Sequence, residues 1–122
     1  MGAAVLVVDD NAHNLKLLRV LLSVDGYDVR TATDAEDALR VLGTFTPEVI
    51  LMDLQLPGMD GLELTRRLKA DPHTCTIRII AVTAYAMKGD DEKARAAGCD
   101  DYVSKPVDAD TLSAVVARYV GR

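Results

Sequence analysis

Short apolar runs alternate with amphipathic segments along the whole chain, and this alternation constrains the fold more than any other feature. The pattern predicts five β-strands, at Ala4–Asp9, Tyr27–Ala32, Glu48–Asp53, Ile77–Thr83 and Asp101–Ser104. Strands that alternate with helical segments are typical of βα units, which assemble into a parallel sheet. We therefore predict an α/β fold built from five such units.

The composition of the strands predicts their places in the sheet. The first, third and fourth are nearly continuous in Val, Ile, Leu and Ala, as expected of central strands that helices cover on both faces. Tyr27–Ala32 instead alternates polar and apolar residues, which is typical of an edge strand with one wetter face. We expect a doubly wound sheet with helices on both sides.

Apolar residues at helical spacing predict the segments between the strands. Segments 35–42 and 112–120 each carry an apolar stripe, formed by Ala35, Ala38, Leu39 and Leu42 in the first and by Leu112, Val115, Val116, Tyr119 and Val120 in the second. The first helix is marked by Leu15, Leu18 and Leu22, and the third by Leu64 and Leu68. We expect the third helix to end near Asp71, because Pro72 disfavours helical geometry in the residue before it.

The fourth helix, within residues 87–97, has the weakest signal. It contains Gly89 and few large apolar residues. Because this segment has little apolar surface to bury, we expect it to be the loosest element of the fold.

Size, charge and cysteine content narrow the range of functions. At 122 residues the chain has the usual size of one domain, so we predict a single domain over residues 1–122. The net charge is −5 and no basic run stands out, so nucleic acid is not an expected partner. Cys75 and Cys99 belong to no CxxC motif and have no His at metal-ligand spacing, which favours two reduced thiols.

No segment has the pattern of a membrane span or an export signal. The longest apolar run, from Ala3 to Val8, is far shorter than the roughly 18 to 20 residues that cross a bilayer. No charged segment precedes a cleavable apolar one. We therefore expect a cytoplasmic protein that does not contact a membrane.

Three carboxylates follow two of the predicted central strands. Asp9 and Asp10 end the first strand, and Asp53 ends the third. In the flavodoxin-like strand order 2-1-3-4-5 these strands flank the point where the order reverses, and ligands bind there, outside the carboxyl ends of the strands. The carboxylates would repel one another in one pocket unless a cation joined them. Oxygen ligands with room for water suit Mg²⁺, so the sequence predicts a magnesium site.

Helix capping is the competing explanation for the acidic pair. Asp and Asn are frequent helix N-caps, and Asp9, Asp10 and Asn11 stand just before the first predicted helix. Taken alone, the pair is better explained by capping. A third carboxylate, Asp53, at the end of another buried strand favours the metal site instead.

Two further polar residues follow the remaining strands. Thr83 ends the fourth strand, where its hydroxyl can donate to a phosphoryl oxygen, and Lys105 follows the fifth, where its ammonium can offset phosphoryl charge. Each residue by itself is more often an ordinary surface side chain. Suitable groups at four strand ends together are hard to explain by coincidence.

With these residues in place, the whole chain resembles the receiver domains of two-component response regulators, which have a flavodoxin-like (βα)5 fold. The resemblance implies that Asp53 is the phosphorylated nucleophile and, with Asp9 and Asp10, a ligand of Mg²⁺. It also implies that the backbone carbonyl of Gln55 reaches the metal.

The resemblance assigns roles to the other strand ends as well. Lys105 would pair with the phosphoryl group and Thr83 would donate to it, while Ala84 is small enough to leave the site open. Tyr102 corresponds to the aromatic switch residue of the family. The peptide bond Lys105-Pro106 corresponds to one that the family usually holds in cis.

Two local stretches refine the resemblance. Residues 81–90 are similar to single-domain regulators of the DivK type and to receivers attached to hybrid sensor kinases. Residues 56–61, Leu-Pro-Gly-Met-Asp-Gly, fit the family's loop after the nucleophile. They also fit a Pro-Gly turn followed by an Asp helix cap, and the two interpretations are compatible.

The resemblance implies signalling rather than turnover of an external substrate. The phosphoryl donor would be a histidine kinase or a histidine phosphotransfer protein, and the domain would assist its own phosphorylation and dephosphorylation. Only enough chain for one helix follows Lys105. We therefore expect either a monomer that signals by binding partner proteins or a module excised from a hybrid histidine kinase. The expected surface for the downstream protein is the face made by the fourth helix, fifth strand and fifth helix.

Three other functions fit parts of the pattern. A haloacid-dehalogenase-like Mg²⁺ phosphatase also uses an Asp nucleophile at a strand end, but it needs a second Asp two residues later as general acid, and position 55 is Gln. A flavodoxin-like electron carrier would need a Ser/Thr/Gly-rich phosphate loop where Asp9-Asp10-Asn11 stands. A degenerate receiver used only for binding would lack an active-site residue, and none is missing.

Overall fold

Strands and helices alternate along the chain in the computed structural model, which describes residues 3–54, 56, 58–83, 90–105 and 107–120 and only the backbone of Asp90 and Asp91. The strands are β1 (Ala4–Val8), β2 (Asp28–Ala32), β3 (Val49–Asp53), β4 (Arg78–Thr83) and β5 (Asp101–Ser104). The helices are α1 (Ala12–Val24), α2 (Ala35–Leu42), α3 (Gly61–Ala70), α4 (Asp90–Ala97) and α5 (Ala109–Tyr119). The predicted α/β class is confirmed.

The five strands form one parallel sheet in the order β2-β1-β3-β4-β5, which confirms the predicted topology. Apart from their first residues in β1 and β4, the three central strands are buried throughout. The strand β2 lies at the edge and alternates exposed with less exposed residues, as its sequence predicts. Because β1 and β3 are neighbours, with Val8 opposite Met52, their carboxyl ends open at one place.

Helices cover both faces of the sheet. On one face α1 and α5 bury six aliphatic side chains: Leu15, Leu18, Leu22, Leu112, Val115 and Val116. On the other face α2, α3 and α4 bury Ala35, Ala38, Leu64, Leu68 and Ala94. Successive strand residues point to opposite faces, so each central strand contributes to both cores. We call the second of these faces the α2–α4 face.

One residue of the predicted helical stripes was assigned wrongly. Leu39 was expected to pack on the sheet, but it is 39% exposed, whereas Val41 and Leu42 pack against the core beside Ala35 and Ala38. Successive residues lie about 100° apart around a helix. The buried face extends from Ala35 through Ala38 to Val41, so Leu39 lies beyond its opposite margin.

The predicted end of α3 is confirmed, whereas the predicted fourth helix is described only in part. The helix α3 ends at Ala70, and Asp71 has extended backbone (φ −92°, ψ 124°), as expected before Pro72. The described part of the fourth helix begins at Asp90, and residues 87–89 of the predicted segment lie outside the described residues. Its buried side chains among those described are Ala94 and Ala97, which are small. That α4 is the loosest element stays a prediction.

A half-buried ionic contact holds the beginning of β5 against β4 and α3. The carboxylate of Asp100 accepts from the backbone N–H of Ile79 at 2.8 Å and from Nζ of Lys69 at 3.0 Å. Burial by itself would raise the pKa of Asp100, but these hydrogen bonds and the charges of Lys69 and Arg78 hold that pKa below its ordinary value. The contact joins α3, β4 and β5 at the amino ends of the strands. Asp9 and Asp53 lie at the opposite, carboxyl ends.

Two features bear on where such a chain can function. Within the described part of the chain, no helix is both long and apolar enough to cross a membrane. Cys75 is exposed, Cys99 is buried, and both are free thiols.

Candidate functional site

Polar side chains gather where the three central strands end. Asp9 directly follows β1, Asp53 is the last residue of β3, and Thr83 is the last residue of β4. The three residues are only 1%, 7% and 2% exposed, respectively. Ionised and polar groups this well buried destabilise a fold unless partners satisfy them. Their collection at one edge of the sheet marks the candidate site.

The aspartates after β1 do not cap α1. The N-cap is Asn11, whose side-chain oxygen accepts from the backbone N–H of Asn14 at 3.1 Å. Asp9 instead accepts the backbone N–H of Asn11 through Oδ1 at 2.9 Å, and its own N–H donates to the carbonyl of Ala32 at 3.1 Å. Capping therefore explains Asn11 and leaves Asp9 and Asp10 to be explained by the site.

Three carboxylates form a cluster with the composition of a cation site. Asp9, Asp10 and Asp53 each offer a carboxylate oxygen, and these oxygens lie within 4.8 Å of one another. Asp9 and Asp53 are buried while Asp10 is exposed, so the cluster is open on one side. Mg²⁺ prefers oxygen ligands and keeps several of its waters, which such an open carboxylate cluster permits. The residues present can therefore hold a divalent cation.

Lys105 joins two of these carboxylates. Its Nζ donates to Oδ2 of Asp9 at 3.0 Å and to Oδ2 of Asp53 at 3.3 Å. The residue lies just beyond β5, and its backbone N–H donates to the carbonyl of Thr83 at 2.8 Å. The position of Lys105 after β5 predicts that it lies near a phosphoryl group, but its ion pair with Asp9 was not predicted. One ammonium thus neutralises part of the charge of both buried aspartates.

The surroundings of Lys105 determine its charge state. Its burial alone would lower the pKa of the ammonium, because a low dielectric disfavours the charged form. The hydrogen bond to Asp9 and the negative charges of Asp53 and Asp9 outweigh burial, so the pKa of Lys105 is raised above its ordinary value. Lys105 is therefore a firmly charged cation at neutral pH.

Gly61, the first residue of α3, lies against the backbone of Asp53. A Cβ added to Gly61 would stand 2.4 Å from the backbone oxygen of Asp53 and 2.8 Å from Cα of Leu54. No side-chain rotation relieves contacts with backbone atoms, so only glycine allows α3 to begin so close to the site. This role of Gly61 was not predicted from the sequence. A glycine directly after the capping residue Asp60, whose side chain accepts from Glu63 at 2.8 Å, was the available signal.

Thr83 and Tyr102 lie on the same face of the sheet. In the register of β4 and β5, Thr83 is opposite Ser104 and Ala81 is opposite Tyr102. Because alternate residues share a face, Thr83 and Tyr102 are diagonal neighbours on the α2–α4 face. Tyr102 is half-buried there against the core. The structure brings together the two residues that the resemblance identifies as a switch.

Three predicted site features lie outside the described residues. They are the backbone carbonyl of Gln55, the small side chain of Ala84 and the peptide bond between Lys105 and Pro106. Their roles stay predictions that rest on the resemblance.

Comparison with known proteins identifies the family. The model of the response regulator receiver domain matches residues 5–117. The polar-differentiation response regulator DivK of Brucella anthropi is 41% identical over 121 residues, which are 99% of this chain and 98% of the relative.

Solved structures match over the full length. A Chloroflexus aurantiacus protein assigned as a response regulator is 31% identical, with a TM-score of 0.94 and coverage of 100% of both chains. The receiver domain of a Pseudomonas aeruginosa sensor histidine kinase, crystallised with a magnesium ion coordinated in its active site cleft, is 34% identical, with a TM-score of 0.90 and coverage of 100% of both chains. Since the family model, the relatives and the fold agree along almost the whole sequence, the chain belongs to the response regulator receiver domains of two-component systems and is similar to DivK.

Proposed function

We propose that this receiver accepts a phosphoryl group on Asp53 from a phosphohistidine, in a reaction that depends on Mg²⁺. The donor is a histidine kinase or a histidine phosphotransfer protein. The observation that carries the proposal is the convergence at Asp53: Asp9 and Asp10 offer oxygens within 4.8 Å of its own, and Lys105 reaches it at 3.3 Å. No other carboxylate in the described part of the chain belongs to such a cluster.

The transfer exchanges one bond to phosphorus for another. A carboxylate oxygen of Asp53 attacks the phosphorus of the phosphohistidine, and the P–N bond breaks. The electron pair of that bond stays on the imidazole of the donor, which leaves as a neutral ring after protonation. The product on this chain is an acyl phosphate, and water later hydrolyses it back to the free carboxylate.

The acidic cluster supplies the ligands for the metal. Asp9, Asp10 and Asp53 would hold Mg²⁺ through carboxylate oxygens, and the family resemblance adds the backbone carbonyl of Gln55. When bound, Mg²⁺ offsets the charge of the phosphoryl oxygens and lets an anionic donor approach a carboxylate. The acidic residues also hold Lys105 in place before a donor arrives, through the ion pair of Asp9 with Nζ.

Thr83 at the end of β4 and Lys105 just after β5 act on the phosphoryl group itself. Lys105 is firmly charged and already touches Asp53, so a short movement of its flexible stem brings the ammonium to a phosphoryl oxygen. Thr83 is the last residue of β4, and its hydroxyl donates to another of these oxygens. The family resemblance adds the small side chain of Ala84, which would leave room for the group, and the peptide bond Lys105-Pro106, which corresponds to one that the family usually holds in cis.

The signal leaves the site through Thr83 and Tyr102. When Thr83 turns toward the phosphoryl group, it vacates space on the α2–α4 face beside Tyr102, and the ring rotates inward. The face made by α4, β5 and α5 changes shape, and a downstream protein binds the phosphorylated form more tightly. A coupling of about 1 to 3 kcal/mol is typical of such linked equilibria. The chain then acts as a cytoplasmic, monomeric switch rather than as an enzyme with an external substrate.

A Mg²⁺-dependent phosphatase is the alternative enzyme. It would need a general acid two residues after the nucleophile, and Gln55 cannot donate a proton in that way. A receiver within a hybrid histidine kinase would use the same site on Asp53, so that alternative changes the partners and not the chemistry.

Intact-mass spectrometry after incubation with acetyl phosphate and Mg²⁺ tests the proposal. The wild type should gain the mass of one phosphoryl group, and EDTA should prevent the gain. Asp53→Asn should gain nothing. Asp28→Asn, which removes an exposed carboxylate from the beginning of β2, should behave like the wild type. Equal modification of Asp53→Asn and the wild type would overturn the proposal.

A further inference from the structure

We infer that Asp100 is a positioning residue, which fixes the register of β5 against β4 and thereby places Tyr102 and Lys105 at the site. The inference rests on the proposed function in one respect, since that function gives Tyr102 and Lys105 their roles. Asp100 itself lies at the amino ends of the strands, away from the cluster around Asp53.

The strand β5 does little to fix its own register. Its four residues are all described, and in the described sheet β4 is its only neighbour. Among these four residues Val103 alone is buried. A slip of one residue would turn every side chain of β5 to the opposite face of the sheet, and Tyr102 would leave the α2–α4 face. The short strand therefore needs a further contact that excludes other registers.

Asp100 supplies this contact by binding both backbone groups of Ile79. The N–H of Asp100 donates to the carbonyl of Ile79 at 2.7 Å, and Oδ2 of Asp100 accepts the N–H of Ile79 at 2.8 Å. Ile79 directly precedes Ile80, which is the first residue of β4 that pairs with β5. Any slip of β5 would place another residue beside Ile79, so Asp100 can form both bonds only in the observed register.

The carboxylate replaces a backbone carbonyl that the chain cannot offer. In a regular parallel ladder a carbonyl of the neighbouring strand would accept the N–H of Ile79. That place falls to Gly98, which still belongs to the turn that ends α4: its φ is +112° and its N–H donates to the carbonyl of Arg95 at 3.0 Å. Since Ile79 is fully buried, its N–H would lose its partner without the side chain of Asp100.

Lys69 orients the carboxylate of Asp100. Its Nζ donates to the same Oδ2 at 3.0 Å and to the carbonyl of Ile77 at 2.7 Å. The stem of Lys69 packs against the turn that leads into Asp100, because a Cβ added to Gly98 would stand 2.8 Å from Cγ of Lys69. The register contact is thereby tied to α3 as well as to β4.

The effect of Asp100 reaches the site along β5. Each strand residue advances the chain by about 3.3 Å, so Lys105 lies roughly 16 Å beyond Asp100. At that end the N–H of Lys105 donates to the carbonyl of Thr83 at 2.8 Å. The strand is therefore held at both ends, and loosening the first end weakens the placement of Tyr102 opposite Ala81 and of Lys105 beside Thr83.

Asp101 offers a matched control for Asp100. The two carboxylates are neighbours and are similarly exposed, at 21% and 19%. The carboxylate of Asp101 accepts from side chains of Arg118 and Tyr119 in α5, at 3.1 Å each, and from the N–H of the next residue of β5. These bonds hold β5 to α5 but do not fix its register against β4.

Amide hydrogen exchange, followed by NMR without metal or phosphodonor, tests the register role. In Asp100→Ala the amides of Ile79 and Lys105 should both exchange about tenfold faster than in the wild type. The amide of Asp9, which donates to Ala32 on the other side of the sheet, should keep its rate. In Asp101→Ala the Lys105 amide should stay within about twofold of the wild type. Faster exchange at Ile79 with Lys105 unchanged would overturn the inference, and so would equal effects of the two variants on Lys105.

The rate of modification by acetyl phosphate in Mg²⁺ tests the consequence for the site. Asp100→Ala should react about tenfold more slowly, because a small displacement of Lys105 removes a charge from the reacting groups. Asp100→Asn keeps an oxygen that can accept the N–H of Ile79, and it should recover most of the rate and of the amide protection. Leu22→Ala, which opens the core beneath α1, controls for lost stability and should react like the wild type. An unchanged rate in Asp100→Ala, or an equal loss in Leu22→Ala, would contradict the positioning role.

The two measurements separate this inference from the proposed function. If the wild type takes up no phosphoryl group while Asp100→Ala alone loses protection at Lys105, the proposed function fails and the register role stands. If the wild type is phosphorylated and Asp100→Ala matches it in both measurements, the inference fails alone. Should Asp100→Ala not fold, Lys69→Met takes its place, because it removes the cation that orients the carboxylate. Faster exchange at both Ile79 and Lys105 then supports the inference, and an unchanged Lys105 amide overturns it.

Discussion

Nζ of Lys105 lies 3.0 Å from Oδ2 of Asp9, although 96 residues separate them in the sequence. This ion pair connects the loop after β1 with the loop after β5. The same Nζ also donates to Oδ2 of Asp53 at 3.3 Å. The three charges are brought together by strand order alone, since β1, β3 and β4 are adjacent and β5 borders β4. The site is therefore a product of the completed fold, and its charges depend on one another.

Removing the ammonium should destabilise the protein in the absence of metal. Lys105→Met leaves two buried carboxylates without their cation, and breaking a fully buried pair costs about 3 to 5 kcal/mol. Because the Lys105 side chain is 17% exposed, we expect a smaller loss, of about 1 to 3 kcal/mol in the free energy of unfolding. Urea unfolding near neutral pH measures it, with Lys93→Met as the control.

The free energies of unfolding of the wild type and Lys105→Met should converge at alkaline pH. The pKa of Lys105 is raised in the fold, so its contribution is fully present below the ordinary lysine value of about 10.4 and is lost as pH rises through the higher folded value. The difference between wild type and Lys105→Met should therefore be constant at neutral pH and shrink above about pH 10. Tyr27 and Tyr119, whose pKa values are also raised, titrate in both proteins and cancel from the difference. A difference that does not shrink would contradict the ion pair.

Magnesium should stabilise the fold through the acidic cluster. At a Mg²⁺ concentration ten times the dissociation constant, binding to the folded state adds about 1.4 kcal/mol to the free energy of unfolding, and the melting temperature rises. Asp10→Asn should melt higher than the wild type in EDTA, because it relieves repulsion from Asp9 and Asp53, and it should gain less from Mg²⁺. A lower melting temperature of this variant in EDTA would count against a shared acidic pocket.

Gly61→Ala should disturb both stability and phosphorylation. Its Cβ would meet the backbone oxygen of Asp53 at 2.4 Å, and overpacking of this kind costs about 1 to 3 kcal/mol. Because the strained atom belongs to the backbone of the proposed nucleophile, the rate of modification by acetyl phosphate should fall as well. Gly43→Ala is the matched control, since its Cβ would approach only the carbonyl of Arg40 at 3.2 Å. Equal effects of the two variants would contradict a specific steric requirement for glycine at position 61.

The coarse fold was predictable because strand and helix patterns are local. The central positions of β1, β3 and β4 and the edge position of β2 followed from how continuous each apolar run is, whereas the order of the strands came from the flavodoxin-like pattern. Asp9, Asp53 and Thr83 followed because the end of a strand can be read from a single run of residues.

The finer features depend on relationships between distant residues. Whether Asn11 or an aspartate caps α1 is decided by where the backbone turns, and the exposure of Leu39 by where α2 rests on the sheet. The ion pair of Lys105 with Asp9 and the contact of Gly61 with Asp53 exist only after the loops have met. Of these four features only the Gly61 contact has a local signal in the sequence, the glycine directly after the capping residue Asp60.

The switch predicts where the structure changes on activation. Beryllofluoride with Mg²⁺ mimics the phosphoryl group, and it should move backbone NMR signals from Thr83 through Gly98 and from Tyr102 to Lys105. Thr83→Ala should reduce these changes because it removes the hydroxyl that we propose turns toward the phosphoryl group. Shift changes confined to the metal ligands, with no change in α4, would contradict the switch but not the proposed phosphorylation of Asp53.

The central claim is that Asp53 is the acceptor, and locating the modification within the chain tests it most directly. The protein is phosphorylated by a phosphohistidine donor in Mg²⁺, and the acyl phosphate is then reduced with borohydride, which converts the modified aspartate to homoserine. Peptide mass spectrometry finds the converted residue. We predict homoserine at position 53 alone, with Asp9 and Asp10 unchanged. Conversion at either of those two aspartates, or at any other carboxylate with Asp53 intact, would contradict the account.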